Sequence, residues 1–108
     1  MRKAEIYHNQ TLAGLLIQNH PKSYEFIYDD SYFYDNRKPS ISRTLLKTQQ
    51  SYQSEYLFPF FFNMLSEGAN RKLQARHLKI DENDFFGLLL ATAAEETIGA
   101  VTVKAIDE

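Results

Sequence analysis

The sequence predicts an α+β fold, in which a small, mostly antiparallel β-sheet carries helices from the C-terminal half of the chain. Residues 3–8 and 23–28 alternate in side-chain character, which is typical of strands. Apolar residues between positions 58 and 93 recur at helical spacing. Residues 98–105 alternate again, so the last strand is expected to return to the sheet. We expect residues 1–108 to form a single domain.

The first two predicted strands form a hairpin. Residues 3–8 alternate and are followed by Asn9 and Gln10, which predict a tight turn because Asn tolerates positive φ. Residues 11–17 return as the second strand. Within this strand, Gly14 indicates a β-bulge or a close approach of another backbone, since glycine has no side chain to pack.

The next segment contains one clear strand and one weaker candidate. A turn is predicted at residues 19–22, and the alternating residues 23–28 follow it as the third strand. Residues 29–40 predict a short helical turn and then a loop, residues 40–47 a fourth strand, and the polar residues 48–55 a further loop. The third strand places three aromatic rings on one face: Tyr24, Phe26 and Tyr28.

Helices are predicted in the second half of the chain. Pro59 suits the first position of a helix, where its missing N–H costs nothing. Gly68 is a natural C-terminal cap for this helix, and residues 69–78 predict a second, short and half-exposed helix. The first of these helices carries one apolar stripe: Phe58, Phe61, Phe62 and Leu65.

The third helix has the strongest local signal. Asp81 is a favourable N-cap, and Ile80 before it is expected to pack on Phe85 as a hydrophobic staple. The helix is predicted to run from Glu82 to Glu95. The final strand then places three side chains on one face: Val101, Val103 and Ala105.

The composition excludes several classes of protein. A net charge of −2 and a pI near 5.9 leave no basic excess for autonomous binding of DNA or RNA. The chain contains no cysteine, so disulfides and thiolate metal sites are impossible. The N-terminus lacks the apolar segment of a secretory signal, and no apolar run approaches the ~20 residues that span a bilayer. We therefore expect a cytoplasmic protein without a membrane partner.

Aromatic residues are abundant, since seven Tyr and eight Phe make up 14% of the chain. A small domain can fill its core with large rings, each of which buries a large area. Aromatic side chains are also enriched in protein interfaces. The residue types favour the core for the Phe side chains and leave both interpretations open for the Tyr side chains.

The residues that could bind a metal or a phosphate do not form a recognisable site. His8, His20 and His77 are far apart and lack the spacing of metal ligands. The four glycines do not cluster into a loop that could hold a phosphate. We expect no metal site and no cofactor.

Acidic motifs do not indicate catalysis either. Neighbouring residues on a helix or strand do not face each other, so the pairs Asp29-Asp30 and Glu95-Glu96 do not form acid–base couples. The Asp-Phe-Phe-Gly run at 84–87 has one Phe more than the kinase D-F-G motif and lies inside a predicted helix. The chain is therefore predicted to have no catalytic residues and not to be an enzyme.

Four segments together resemble a known family. Residues 57–68 (Leu-Phe-Pro-Phe-Phe-Phe-Asn-Met-Leu-Ser-Glu-Gly) resemble the P-F-F-x-x-L-L-P-E-G segment in the N-terminal subdomain of HipA-type serine/threonine kinase toxins. Residues 71–80 resemble its R-x-x-L-A-x-x-L-G-I run, residues 84–89 its D-x-F-x-L-L helix, and residues 98–103 its x-G-A-V-x-V strand. The resemblance covers nearly the whole chain and departs from the family at Ser66, where Pro is frequent.

The resemblance implies a non-catalytic regulatory subunit. In a HipA-type toxin this subdomain is followed by the kinase site, whereas this sequence stops at Glu108. It is similar to the HipS-type antitoxin of tripartite HipB–HipS–HipT systems. The implied partner is a separate HipA-like kinase chain of the HipT type, with a HipB-like helix-turn-helix protein as an indirect partner and no direct nucleic acid partner.

The resemblance also implies a docking surface on this chain. The segment 67–71 is expected to occupy or disturb the nucleotide cleft of the kinase, and Tyr32 and Tyr34 are expected to act as further aromatic anchors. The implied partner-binding residues are Phe60, Asn63, Glu67, Gly68, Ala69, Asn70 and Arg71.

Two other functions stay open at this point. The chain is alternatively a structural N-lobe subunit that the kinase needs for activity, with the DNA-binding protein as the antitoxin. The third alternative is an unrelated domain that binds a small ligand, for which a deep pocket with converging polar groups would be the evidence.

Overall fold

The computed structural model describes residues 1–93 and 100–106. Within these ranges the chain forms β1 Arg2–His8, β2 Thr11–His20, β3 Ser23–Tyr28, α1 Asp30–Phe33, β4 Ser51–Ser54, α2 Pro59–Phe62, α3 Gly68–Leu78, α4 Phe85–Thr92 and β5 Val101–Ala105. The strands form one sheet in the order β4-β3-β2-β1-β5, with antiparallel neighbours throughout. The predicted α+β class is confirmed, because the last strand returns to the sheet beside β1.

The core lies on one face of the sheet. Ala4 and Ile6, the apolar residues of the alternating strand β1, are completely buried, and the three aromatic residues predicted to share a face of β3 are buried as well. Burial of one large apolar side chain contributes about 1.5–3 kcal/mol to the stability of the folded chain. The largest apolar side chains at the centre of this core include Leu16, Phe26, Phe61, Phe86, Leu88 and Leu89.

The turn between β1 and β2 forms as predicted. Asn9 and Gln10 have φ angles of 49° and 69°, which is the backbone conformation of a two-residue hairpin turn that matches the twist of the strands. The second arm is longer than predicted, because β2 continues to His20 and leaves the turn before β3 to residues 21–22.

Both interpretations of Gly14 are confirmed. Ile6 pairs with Gly14 and Tyr7 pairs with Leu12, so Ala13 is an extra residue in β2 and forms a bulge. A Cβ atom at position 14 would lie 2.3 Å from the carbonyl oxygen of Ile27 in β3. Only glycine fits between these two strands without a shift of the backbone.

The fourth strand lies at 51–54 and not at the predicted 40–47. The segment 40–47 instead wraps around Tyr28, whose hydroxyl donates to the carbonyl oxygen of Leu45 and accepts from the backbone N–H of Ile41 at 3.0 Å. Hydrogen bonds from side chains to the backbone compete with strand pairing. Tyr52, which was predicted in a loop, pairs across from Phe26 on β3.

Gly68 begins a helix and does not cap one. α2 ends at Phe62 because the backbone N–H groups of Met64 and Leu65 bond to carbonyls three residues back and bury both side chains. Gly68 therefore lies well beyond α2, and it enters α3 with a φ of 53°. The position of Pro59 at the start of α2 is confirmed.

The N-cap of α4 is Asp84 and not Asp81. The Asp84 carboxylate accepts from the N–H of Gly87 at 3.1 Å, whereas Asp81 accepts from the N–H of Asn83 at 2.8 Å in a turn before the helix. α4 therefore begins at Phe85, three residues later than predicted, and the staple around an Asp81 cap does not form.

The C-terminal predictions are confirmed in part. α4 ends at Thr92, and the predicted end at Glu95 lies outside the described residues, as do Glu96 and Ile98. Val101 and Val103 of β5, which were predicted to share a face, are both buried. Ala105 is exposed, since it lies at the end of an edge strand that has a neighbour on one side only.

Candidate functional site

The candidate docking residues lie on α2 and on the first turn of α3. We call these seven residues the α2–α3 surface: Phe60, Asn63, Glu67, Gly68, Ala69, Asn70 and Arg71. The structure places Asn63 as the exposed C-cap of α2 and places Glu67 as the N-cap of α3. The ring of Phe60 is only partly exposed and packs edge-on against Phe61 at 5.2 Å between centroids. Phe60 is therefore at the margin of the core.

Residues 67–70 form an exposed tip at the start of α3. Glu67 is extended, with φ −97° and ψ 150°, and its side chain makes no capping hydrogen bond. Its carbonyl oxygen accepts from the N–H of Asn70 at 3.1 Å. A Cβ atom at Gly68 would meet nothing within 4 Å, so the tip is open to solvent on this side. The tip is thus accessible to another molecule, and its sharp entry into α3 depends on the positive φ of Gly68.

Arg71 points back toward the core and anchors the tip. Its guanidinium carbon lies 5.6 Å from the ring centroid of Phe62 and 5.4 Å from that of Phe85. These two rings meet edge to face at 5.1 Å. The Nε atom of Arg71 is buried and has no hydrogen-bond partner among the described residues. Arg71 therefore holds the first turn of α3 against α2 and α4 through its contacts with the rings.

A polar network that the sequence did not predict joins β1 to α4. The Arg2 guanidinium donates two hydrogen bonds to the Asp84 carboxylate, at 2.7 and 3.0 Å, and its Nε donates to Gln18 at 2.8 Å. The Gln18 amide in turn donates to the Tyr24 hydroxyl at 3.1 Å. The hydrogen bonds from Arg2 hold the pKa of Asp84 below its usual value.

The sequence did contain a signal for this network. Arg2 lies two residues before Ala4, so strand alternation places its side chain on the core face. A cation on that face needs a partner, because burial of an unpaired charge is costly. The sequence does not show which acid is that partner, and only the tertiary fold shows that Arg2 meets Asp84.

The aromatic residues divide as their types predicted. All eight Phe side chains are buried or partly buried. Among the Tyr side chains, Tyr34 and Tyr56 are 72% and 76% exposed. The prediction that Tyr32 is a surface anchor is wrong, because its ring is buried and its hydroxyl donates to the carbonyl oxygen of Pro39 at 2.6 Å. Burial raises the pKa of Tyr32 to about 12.

Two clefts have four lining residues in common: Pro21, Tyr24, Asn83 and Phe85. A cleft of about 560 Å³ with a mixed polar and apolar lining includes Arg2 and Asp84, whose side chains already bond to each other. An apolar cleft of about 460 Å³ includes Tyr56. Both clefts are open to solvent, so neither supplies the deep pocket with converging polar groups that would support a small-ligand function.

Residues 1–93 and 100–106 contain neither a cluster of candidate metal ligands nor a membrane-spanning helix. In these ranges, no group of three or more His, Asp or Glu side chains is placed to hold a metal ion. None of the helices described there is long and apolar enough to cross a membrane.

The fold and the exposed tip define a small α+β module built on an antiparallel sheet, with a helix start presented to solvent. A sequence model of the HipA N-terminal domain matches residues 4–104, and the chain belongs to this family. The matched family is the N-terminal domain of HipA and not the kinase catalytic domain.

A solved structure and a protein sequence support this assignment. A structure of the N-terminal domain of HipA toxin has a TM-score of 0.73 and 25% sequence identity, and the match covers 100% of this chain and 95% of that one. An uncharacterized protein of Haemophilus influenzae is 29% identical over 104 residues, which cover 96% of this chain and 92% of that protein. The resemblance seen in the motifs is therefore confirmed, and it connects this chain with toxin–antitoxin systems.

Proposed function

We propose that this chain is a non-catalytic, cytoplasmic regulatory subunit that binds a separate HipA-like kinase of the HipT type and restrains its activity. The observation that carries the proposal is the length of the Haemophilus influenzae relative. The match covers 92% of that protein, which leaves no room in it for a kinase domain. A domain that is separate from the kinase must act on it by binding.

The α2–α3 surface is the contact that we propose. Its tip at residues 67–70 projects from the module and is exposed, which suits insertion into the nucleotide cleft of a kinase. Two further aromatic rings are available to anchor a partner. Phe60 belongs to the α2–α3 surface and is partly exposed, and Tyr34 lies outside this surface and is exposed. A subunit that binds the inactive kinase state about 10⁴-fold more tightly than the active state shifts the population from mostly active to mostly inactive.

Co-expression tests the proposal. The kinase chain without this domain is expected to arrest growth, and simultaneous expression of the present chain is expected to restore growth and suppress kinase activity. Unchanged arrest together with unchanged kinase activity would contradict the proposal.

A pair of matched variants tests the surface itself. Asn70→Glu places a charge on the exposed tip, where an acid in the first turn of a helix does not harm the fold. Asn36→Glu makes the same change in an exposed turn outside the α2–α3 surface. We expect Asn70→Glu to lose the rescue of growth and Asn36→Glu to keep it. Equal rescue by both variants would remove the tip from the contact.

In the alternative function, the chain has the opposite effect on the kinase, because it supports kinase activity and does not restrain it. The related solved structure is the N-terminal domain of a toxin, which favours a role in completing the kinase. The chain would then be a structural N-lobe subunit, and a HipB-like helix-turn-helix protein would be the antitoxin. In the same co-expression experiment, growth arrest and kinase activity would require the present chain.

A further inference from the structure

α3 is a helix that the rest of the described chain leaves largely uncovered. Ala75 is its one buried residue, and Leu73 is 61% exposed. A helix of 11 residues in a globular protein normally buries an apolar stripe against the core. A single buried alanine leaves most of the surface of α3 available to another molecule.

The charge of this segment is opposite to that of the remaining chain. Four of the twelve Lys and Arg residues lie at positions 68–79, and none of the fourteen Asp and Glu residues does. Since the whole chain carries −2, the other residues carry a net charge of −6. Lys72 and Arg76 are exposed, and within 1–93 and 100–106 no carboxylate forms an ion pair with either side chain. Such a surface favours association with an acidic partner.

The exposed residues of α3 form one continuous outer face. Ala69, Leu73 and Arg76 are spaced by four and three residues and therefore lie on the same side of the helix. Lys72 and His77 flank Leu73, and all five side chains are exposed. Because Ala69 also belongs to the α2–α3 surface, this face continues from the proposed tip along the helix.

We propose that the outer face of α3, formed by Ala69, Lys72, Leu73, Arg76 and His77, extends the docking surface and binds an acidic patch with an apolar centre on a partner protein. This inference rests on the proposed function, because it assigns the chemistry of the surface that the kinase presents. Leu73 favours a protein over a nucleic acid, since phosphates are bound by cations and gain nothing from a leucine. A single exposed leucine also disfavours binding to a lipid surface, which requires a broader apolar face.

Charge reversal on α3 tests the inference with a matched control. The variant Lys72→Glu/Arg76→Glu is compared with Arg43→Glu/Lys104→Glu, which reverses two exposed cations outside α3. Binding to a HipA-like kinase chain that lacks this domain is measured by biolayer interferometry at low and high salt. We expect the α3 variant to bind at least about tenfold more weakly, mainly through a slower association rate, and to lose the salt dependence of the unaltered chain. We expect the control to bind within about twofold of the unaltered chain. Equal binding by the two variants would overturn the inference and leave the proposed function intact.

A second measurement does not depend on the kinase. The ¹⁵N-labelled chain is titrated with a peptide of alternating Glu and Leu, with a DNA duplex and with phosphatidylglycerol vesicles. We expect the peptide to shift the amide signals of residues 69–77, and we expect Lys72→Glu/Arg76→Glu to abolish these shifts. A stronger response of α3 to the duplex or the vesicles, or no response to the peptide, would overturn the inference. A response to the peptide without any binding of the unaltered chain to the kinase would overturn the proposed function alone.

Discussion

Replacement of Asp84 separates two contributions to the stability of the start of α4. The carboxylate accepts two hydrogen bonds from Arg2 and one from the N–H of Gly87. Asp84→Ala removes all three. Asp84→Asn keeps an oxygen that can cap the helix, because Asn and Asp are comparable N-caps, but it removes the ion pair.

The expected free energies follow from this geometry. Loss of an N-cap costs about 1 kcal/mol. The side chains of Arg2 and Asp84 are 39% and 33% exposed, so solvent screening limits the ion pair to about 0.5–1 kcal/mol. We expect Asp84→Ala to lower the free energy of unfolding by about 2 kcal/mol and Asp84→Asn by about 1 kcal/mol. For a chain of this size, about 1 kcal/mol corresponds to a change of about 4–8 °C in Tm.

The pH dependence gives an independent check. The pKa of Asp84 is lowered in the folded chain, so the unfolded chain binds the proton more tightly. The stabilisation is therefore fully present above the unfolded pKa of about 4 and is lost as the pH falls through the folded pKa. The Tm difference between the unaltered chain and Asp84→Asn should shrink in this acidic range.

Thermal unfolding followed by circular dichroism measures all three chains. The reasoning is refuted if Asp84→Ala melts with the unaltered chain near neutral pH, or if the Asp84→Asn difference persists in acid. Equal destabilisation by both variants would show that the cap contributes nothing and that the ion pair alone matters.

Four further outcomes are expected. Gly14→Ala should destabilise by about 3 kcal/mol, because its Cβ would overlap the backbone of Ile27; urea unfolding measures this. Gly68→Ala should cost only about 1–2 kcal/mol in the same assay, since its Cβ meets no neighbour and only the positive φ is unfavourable. Tyr28→Phe should cost about 1–3 kcal/mol by denaturant unfolding, because it leaves a buried backbone carbonyl and N–H without their partner. Since the folded pKa of Tyr32 is raised to about 12, its stabilisation is present below the unfolded value near 10 and is lost as pH rises through the folded value; alkaline Tm measurements should show a smaller fall for Tyr32→Phe.

The sheet was largely predictable because its determinants are local. Alternation identified β1 and β3, and Asn9 identified the hairpin turn through its tolerance of positive φ. Gly14 was recognised as exceptional from its place in a strand. In each case a residue and its near neighbours contain the signal, and no distant contact is needed to interpret it.

The errors occurred where a distant side chain decides the local structure. Tyr28 draws the segment 40–47 out of a strand by bonding to its backbone. Asp81 and Asp84 are equally suitable as N-caps by residue type, and the contact with Arg2 accompanies the cap at Asp84. Glycine is frequent at the C-terminal ends of helices, which favoured Gly68 as the cap of α2. The helix ends before this position, because Leu65 is buried in the core. Propensity cannot resolve these alternatives, because the deciding contacts are tertiary.

The candidate site could be predicted as a segment, whereas the arrangement of its side chains could not. The motif resemblance pointed to residues 60–71, and residues 67–70 are exposed in the structure. It could not distinguish Arg71, which turns toward the rings of Phe62 and Phe85, from the exposed residues that precede it. The exposed outer face of α3 was equally hidden, because a helix with few apolar residues does not by itself show which side remains uncovered.

Arg71 connects the stability of the module with the position of its tip. Its guanidinium packs on Phe85, the first residue of α4, and Asp84, immediately before it, is held by Arg2. The first turns of α3 and α4 therefore meet at the ring of Phe85, and Arg2 holds the start of α4 to β1 through its ion pair with Asp84 and its contact with the ring of Phe86. A weakened Asp84 cap should thus displace Phe85 and loosen the tip while the sheet stays intact. A variant at the Asp84 cap should therefore misplace the proposed docking surface and also weaken α4. A variant at the tip itself should alter that surface and leave the unfolding of α4 unchanged.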